Sequence, residues 1–240
     1  MKTLAVAARV LAQLRRDPRT LVLIVGVPCL LEWLLRELFR GGPIFQHAGA
    51  PLLGLFPFVT MFLVTSITML RERVTGTLER LMTMPLAKLD LLAGYELAFG
   101  LLAVVQATIV SLVAFGLLGL HVDGPRALVV VLAVANSLLG CALGLFVSAF
   151  AQTEFQAVQF MPALVLPQIL LCGLFVARSS MATWLRWVSD ALPLTYAYDA
   201  LAHTASDRLD TRFAVDVAVV CGCILLSLAL GAATLRRRTG

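Results

Sequence analysis

The chain has 240 residues, of which 60% are hydrophobic and 14% are charged, with a formal net charge of +5. Soluble domains carry about a quarter charged residues. The deficit extends over the whole chain, so it excludes a soluble domain with one anchor and predicts an all-α protein that crosses a membrane several times. The five cysteines lie in apolar runs, and an odd number of such thiols argues against a disulfide framework. We expect no metal site, because no His or carboxylate lies near the Cys221/Cys223 pair.

Six stretches have the roughly 20 mostly apolar residues that a membrane span requires. They are residues 20–38, 51–70, 91–120, 127–150, 155–177 and 213–235. The first is the least typical, since Glu32, Arg36 and Glu37 lie in its second half. Most Arg and Lys residues fall within 1–19, 71–88 and 236–238, which predicts that both chain ends are cytoplasmic. An even number of spans agrees with that orientation.

Two further segments are amphipathic rather than spanning. Residues 1–19 place Leu4, Ala7, Leu11 and Leu14 at helical spacing, opposite Lys2, Arg9, Gln13 and Arg16. This pattern predicts a basic helix lying along the inner membrane surface. Residues 180–203 combine Trp and Tyr with charged residues, which predicts short interfacial or re-entrant helices before the last span, the second beginning after Thr195 as N-cap.

Small and charged residues inside the spans suggest packing contacts and a candidate pathway. Gly140 and Gly144 form a small-residue stripe, for which packing within the chain is favoured over dimerisation. Glu32 and Arg36 are spaced i,i+4 and can pair on one helix face. An ion pair near the outer interface is the plainer interpretation of these two residues, and a role in the translocation pathway is the alternative.

Residues 71–85, RERVTGTLERLMTMP, bring charges between the second and third apolar stretches. Each charge would cost about 2.5–3.5 kcal/mol at the centre of a bilayer, so this segment is expected outside it. At helical spacing Val74, Leu78, Leu81 and Met82 share one side; Glu72, Arg73, Gly76, Glu79, Arg80 and Thr83 share the other. The pattern fits either a solvated surface helix or a docking helix. Gly76 favours close approach of a partner, because Gly costs roughly 1 kcal/mol in a helix relative to Ala.

Three motifs in order resemble those of the membrane subunits of ABC type-2 transporters, in particular the daunorubicin-resistance-like multidrug export permeases. They are GTLERL with Pro85, the passage SAFAQTEFQAVQFMPALVLPQILLCGLF at 148–175, and LPLTYAYDAL at 192–201. The resemblance covers nearly the whole chain. One departure is Tyr95, at a position where many members of the family have Lys.

The resemblance implies that residues 71–85 form a cytoplasmic coupling helix that docks on a separate ABC ATPase subunit. Transferred residue by residue, the ATPase would be met by Glu72, Arg73, Gly76, Thr77, Glu79 and Arg80. Leu78, Leu81 and Met82 would pack on the spans, and Glu154 in the turn at 151–156 would make a smaller contact. The resemblance also implies a second permease subunit, identical or different, and a bacterial cytoplasmic membrane with its lipids as surroundings.

The chain contains no G-x-x-x-x-G-K-[ST] motif, so ATP and Mg would be bound by the partner. His47, His121 and His203 are expected in outer loops without forming a cluster, and we expect no catalytic residue, cofactor or nucleic-acid partner. The function that follows is export of amphiphilic drugs, antibiotics or lipid-like molecules. The nearest alternative is export of a lipid or polysaccharide. An ion-coupled carrier would want internal repeats and buried carboxylates near mid-membrane, which the third to sixth spans do not show. A membrane-embedded enzyme would want clustered His, Asp or Glu at one face, which the pattern does not show either.

Overall fold

The computed structural model describes residues 2–77 and 87–234, and within these residues the protein contains helices and no strand. The helices are α1 (Lys2–Arg15), α2 (Pro18–Leu38), α3 (Pro43–Val74), α4 (Lys88–Leu112), α5 (Arg126–Val147), α6 (Glu154–Phe160 with Leu166–Leu171), α7 (Thr183–Ala191), α8 (Pro193–Ala205) and α9 (Thr211–Thr234). A π-helical turn at Val113–Leu117 extends α4, and another at Met161–Val165 joins the two parts of α6. A short 3-10 turn at Arg178–Ser180 precedes α7.

Six of these helices alternate in direction between two ends of the molecule: α2, α3, α4, α5, α6 and α9. The first end, here the α1 end, contains α1, the last turn of α3 and the first turns of α4 and α6. The second, here the α8 end, contains α7, α8 and the beginnings of α3 and α9. Within the described residues, five helices are long and apolar enough to cross a membrane: α3, α4, α5, α6 and α9. Helix α2 is not among them, so the sixth span remains a prediction.

Side-chain caps fix where several helices begin. Asp17 precedes α2, where its Oδ1 accepts a hydrogen bond from the Thr20 amide at 3.3 Å and its Oδ2 one from the Thr20 hydroxyl at 2.6 Å. These bonds lower the pKa of Asp17. Thr153 caps α6 in the same way through the Gln156 amide. The expected cap at Thr195 is wrong: α8 begins at Pro193, and the Thr195 hydroxyl donates to the Ser189 carbonyl at 2.7 Å.

Helix α3 is longer than the apolar pattern suggested. It begins at Pro43 rather than near residue 51, contains Pro51 and Pro57, and continues through the first charges of the 71–85 segment to Val74. Prolines inside membrane helices are tolerated where neighbouring helices cover the freed backbone groups, and Pro51 and Pro57 are both buried. The charged segment therefore begins as the last turn of α3 and not as a separate helix.

Helices α3 and α5 approach each other closely at the predicted small-residue stripe. A Cβ atom on Gly140 would lie 2.3 Å from the Phe58 carbonyl oxygen, and one on Gly144 would lie 2.5 Å from that of Phe62. Only glycine lets the two backbones approach so closely. The stripe thus packs helices of this same chain against each other.

Helix α1 packs on α4 instead of resting only on a surface. Its buried side consists of Val6, Ala7, Val10 and Leu14, and Val6 lies against Gly94 of α4. The sequence pattern had placed Leu4 on the apolar side, but Leu4 is 62% exposed. Burial of this face in protein links the first residues of the chain to the helix bundle.

Candidate functional site

Charged and polar side chains from four helices meet at the α1 end. We call this group the charged corner: Arg9 and Gln13 of α1, Arg71, Glu72 and Arg73 of α3, Tyr95 of α4 and Glu154 of α6. The corner contains part of the predicted coupling segment and is therefore the first candidate for a functional surface.

Glu72 lies at the centre of the charged corner and is only 5% exposed. Its Oε1 lies 3.3 Å from Arg9 Nη1 and accepts a hydrogen bond from Gln13 Nε2 at 3.2 Å. A buried carboxylate needs such partners, because losing its hydration otherwise costs several kcal/mol. Glu72 therefore attaches α1 to the end of α3. Its expected place on an exposed, partner-facing side is wrong.

Tyr95 completes this attachment from α4. Its side chain is fully buried, and its hydroxyl accepts a hydrogen bond from Arg9 Nη2 at 2.5 Å. The Arg9 guanidinium carbon also lies 5.8 Å from the centre of the Tyr95 ring, within reach of a cation–π interaction. A Lys at this position would place a second cation beside Arg9. Tyrosine instead offers the guanidinium both an acceptor and a ring face.

A second connection in the charged corner joins α3 to α6. Arg71 donates two parallel hydrogen bonds to Glu154, from Nε to Oε1 at 2.8 Å and from Nη2 to Oε2 at 3.0 Å. Both side chains are more than half exposed, so the pair contributes only about 0.2–1 kcal/mol. Arg73 Nη1 donates to the Ala149 carbonyl at 3.3 Å. The turn before α6 is thereby held against the end of α3.

Gly76 ends this part of the chain with a backbone conformation that favours glycine. Its φ is +71°, and a Cβ atom there would meet nothing within 4 Å. A left-handed glycine just after a helix is a common C-terminal cap. Helical periodicity through 71–85 is therefore broken at Gly76, and a turn accounts for this glycine without a close partner. Thr77 follows, its hydroxyl 3.0 Å from that of Thr75.

Comparison with known proteins identifies the chain's family. The family model described as "ABC-2 type transporter" matches residues 1–205. The chain belongs to this family. It is the family of the membrane permease component of ABC transporters.

Curated relatives of this ABC-2 permease carry related names. The probable multidrug ABC transporter permease YbhR of Escherichia coli is 28% identical over 148 residues, 62% of this chain and 40% of YbhR. The linearmycin resistance permease protein LnrN of Bacillus subtilis is 25% identical over 176 residues, 73% of this chain and 44% of LnrN. ABC transporter G family member 20 of Dictyostelium discoideum is 29% identical over 147 residues, 61% of this chain and 20% of that protein. The matched part of the chain spans less than half the length of each of these relatives.

Several predicted site residues of the permease fall outside the described part of the chain. These are Leu78, Glu79, Arg80, Leu81 and Met82. Of the remaining predicted coupling residues, Arg73, Gly76 and Thr77 are half-buried and Glu154 is exposed. The sequence pattern missed the contribution of Arg9, Gln13 and Tyr95 to the charged corner. The polar side of α1, which carries Arg9 and Gln13, was the available signal.

The expected ion pair between Glu32 and Arg36 does not form in this ABC-2 permease. Arg36 pairs with Glu37 and donates from Nε to the Leu118 carbonyl at 3.2 Å. Glu32 is completely buried, and among the described residues its carboxylate has no hydrogen-bond partner. The i,i+4 spacing allowed the pair, but the Arg36 side chain points toward the end of α4.

The described residues contain no group of three or more His, Cys, Asp or Glu side chains that could hold a metal ion. The histidines were expected in loops, and this expectation is wrong for two of them, since His47 lies within α3 and His203 within α8. His203 Nδ1 lies 3.2 Å from Asp216 Oδ2 of α9. This contact belongs to the α8 end, far along α3 from the charged corner.

Proposed function

We propose that this ABC-2 permease is the membrane subunit of an ATP-driven exporter in a bacterial cytoplasmic membrane, and that the charged corner receives the movement of a separate ATPase subunit. The observation that carries the proposal is the continuity of α3, a single helix from Pro43 to Val74. Its last turn is tied to α1 through Glu72 and to α6 through Arg71. A displacement at the corner would therefore move three helices together.

The proposal places ATP and Mg on the partner and no chemistry in this chain. Closure of two ATPase subunits would displace the corners of two permease subunits, identical or different, and open a path toward the α8 end. The corner would face the cytoplasm, with both chain ends on that side, because its helix ends carry many of the Arg residues. Amphiphilic drugs or antibiotics are the proposed substrates. The names of the bacterial relatives, a multidrug permease and a linearmycin resistance permease, support this class.

Exposed residues of the charged corner and of the chain directly after α3 form the proposed docking surface for the ATPase. Arg71, Thr75 and Glu154 are exposed, and Gly76 and Thr77 are half-exposed beside them. Glu79 and Arg80 come after Leu78 in the sequence, and the family resemblance includes them among the residues that would meet the ATPase. Glu72 and Arg73 would act from behind it, by holding α1 and the turn before α6 in place.

Co-purification with an ATPase subunit tests the coupling proposal. The permease would be co-expressed with the ATPase encoded beside it, as wild type and as Gly76→Trp, Glu79→Lys and Arg126→Gln. Gly76→Trp places a large side chain on the docking surface in a left-handed position, and Glu79→Lys reverses a proposed contact charge. Arg126, at the start of α5, lies at the opposite end and serves as the matched control.

We expect Gly76→Trp and Glu79→Lys to insert and fold but to lose ATPase binding or permease-stimulated ATP hydrolysis, while Arg126→Gln keeps both. Full stimulation by both of these variants would remove the docking role. Transport by the pure chain in liposomes, driven by a proton gradient without ATP, would contradict the exporter proposal itself.

A second candidate function has one observation in its favour. Glu32 of α2 and Glu96 of α4 are buried carboxylates that have no hydrogen-bond partner among the described residues. Buried carboxylates in membrane helices are typical of proton-coupled carriers. If the chain were such a carrier, Glu32→Gln and Glu96→Gln would abolish transport driven by a pH gradient. For the ATP-driven exporter, both variants should retain ATP-dependent transport.

A further inference from the structure

A cavity of about 830 Å³ opens at the α8 end. It is bounded by the beginning of α3, by α8, by the beginning of α9 and by the segment that follows α6. Its charged lining consists of Arg178, Asp199, His203, Arg208, Arg212 and Asp216. We call this space the polar cavity. Its position, at the opposite end from the charged corner, separates it from any ATPase contact.

The acidic side chains of the polar cavity already have basic neighbours. Arg178 Nη1 donates to Asp199 Oδ2 at 2.6 Å, and its Nη2 pairs with Asp190. Asp216 lies beside His203. Burial raises the pKa of the Asp199 carboxyl, and the Arg178 guanidinium opposes that shift. Arg178 thus pairs with two carboxylates, and Asp216 contacts a histidine that carries a charge only when it is protonated.

Within the described part of the chain, two arginines of the polar cavity have no acidic partner in contact with them. The guanidinium groups of Arg208 and Arg212 make no hydrogen bond or ion pair with any described residue. Tyr198 also lines the cavity, and burial raises the pKa of its hydroxyl to about 12, so this group stays a neutral donor at physiological pH. The charged lining has three arginines and two aspartates, and the two guanidinium groups without an ion pair can bind an anion.

A second space of about 590 Å³ lies along α2, α3 and α6, and Thr60 is the one polar residue in its described lining. We call it the apolar groove. It adjoins the polar cavity at two places in the chain. His47 lines the cavity and Ala48 the groove; Gly173 lines the cavity, while Leu174 and Phe175 line the groove. A charged and an apolar space therefore meet at neighbouring residues.

We propose that the polar cavity and the apolar groove together bind one amphiphile with an anionic, phosphate-like headgroup, held by Arg208 and Arg212, and an alkyl chain in the groove. The proposal deepens the exporter function and rests on it for the direction of transport, although binding itself needs no ATPase. Each space is within the size range of small-molecule sites. Arg is suited to the headgroup because its planar guanidinium binds phosphate oxygens in pairs.

Binding of dodecyl phosphate to the purified chain tests the site. The chain would be placed in phosphatidylcholine nanodiscs without ATP or partner, and radiolabelled dodecyl phosphate bound to empty nanodiscs would be subtracted. Inorganic phosphate and neutral dodecanol are the two comparison ligands. The variants are Arg208→Gln with Arg212→Gln, Ala48→Trp to fill the groove, and Arg126→Gln as a charge-matched control outside both spaces.

Arg208 and Arg212 are exposed, so loss of their two ion pairs with the headgroup should weaken binding of dodecyl phosphate about tenfold in the double Arg variant. Arg126→Gln should bind like wild type. Ala48→Trp should weaken binding of dodecyl phosphate but not of inorganic phosphate, and dodecanol should bind equally to wild type and to the double Arg variant.

Three results would overturn the proposal. Unchanged affinity in the double Arg variant would remove the headgroup site. Equal affinity for inorganic phosphate and dodecyl phosphate would make the cavity a site for a free anion. If Ala48→Trp changed the oligomeric state and left amphiphile binding intact, the groove would be covered by a second copy of the chain. A failure of ATPase coupling would alter none of these measurements, so the two proposals can fail separately.

Discussion

The contact between α3 and α5 predicts opposite effects for the same substitution at two glycines. A Cβ on Gly140 would lie 2.3 Å from the Phe58 carbonyl oxygen, which is 0.7 Å inside the 3.0 Å limit that real Cβ atoms keep. That oxygen belongs to the backbone and cannot rotate away, so Gly140→Ala must push the helices apart. Gly222 of α9 has nothing within 4 Å of its Cβ position and is the matched control.

The magnitudes follow from two opposing effects. Replacing a helical Gly by Ala favours the helix by about 1 kcal/mol, whereas overpacking a close contact costs typically about 1–3 kcal/mol. We expect Gly140→Ala to lower the free energy of unfolding by about 0–2 kcal/mol after both effects. Gly222→Ala should raise it by about 0.5–1 kcal/mol. Gly144→Ala should resemble Gly140→Ala, because its Cβ would meet the Thr65 hydroxyl oxygen and the Phe62 carbonyl.

Reversible unfolding in mixed detergent micelles, followed by circular dichroism, would measure these differences. The sign of the difference between Gly140→Ala and Gly222→Ala is the decisive result. If Gly140→Ala were as stable as Gly222→Ala, the small-residue stripe would not be a close backbone contact, and the α3–α5 packing described above would be wrong.

Three predictions concern the charged corner. Glu72→Gln keeps the shape of the side chain but removes the charge opposite Arg9. It should lower the free energy of unfolding by about 1–3 kcal/mol in thermal denaturation. Unchanged stability would show that this contact does not hold α1. Tyr95→Phe removes an acceptor from Arg9 and should lower it by about 0.5–1.5 kcal/mol in the same assay, whereas a stabilised variant would argue against the hydrogen bond. Arg71→Glu and Glu154→Arg should each reduce permease-stimulated ATP hydrolysis, and the double exchange should restore part of it. The free energy of unfolding should change by about 1 kcal/mol or less. A double variant as impaired as the sum of both single variants would exclude pairing of the two residues.

The helical class and the positions of most apolar stretches could be predicted from the sequence, because hydrophobic length alone determines what can lie in a bilayer. The start of α3 could not. Pro51 reads as a boundary in a single sequence, but it is accommodated inside α3, which begins at Pro43. Whether neighbours cover a proline's freed carbonyl depends on tertiary packing, which local pattern does not contain.

The burial of Glu72 could not be predicted from local periodicity either. A spacing of 100° per residue separates an apolar side from a charged one, but it cannot say whether the charged side meets solvent or another polar helix. Here the polar side of α1 covers Glu72 through Arg9 and Gln13. The prediction of a Glu32–Arg36 pair was wrong for a related reason. Arg36 donates instead to the Leu118 carbonyl, which is 82 residues away in sequence.

The two prolines of α3 give this helix unequal halves. With 32 residues, α3 is roughly 48 Å long, so tilting it by about 5° at the charged corner would displace the opposite end by about 4 Å if it were rigid. Pro51 and Pro57 lack the backbone N–H that would stiffen their turns, so bending there breaks no further hydrogen bond. Helix α3 can therefore bend near its two prolines. His47, which lines the polar cavity, lies on the far side of this bend from the charged corner.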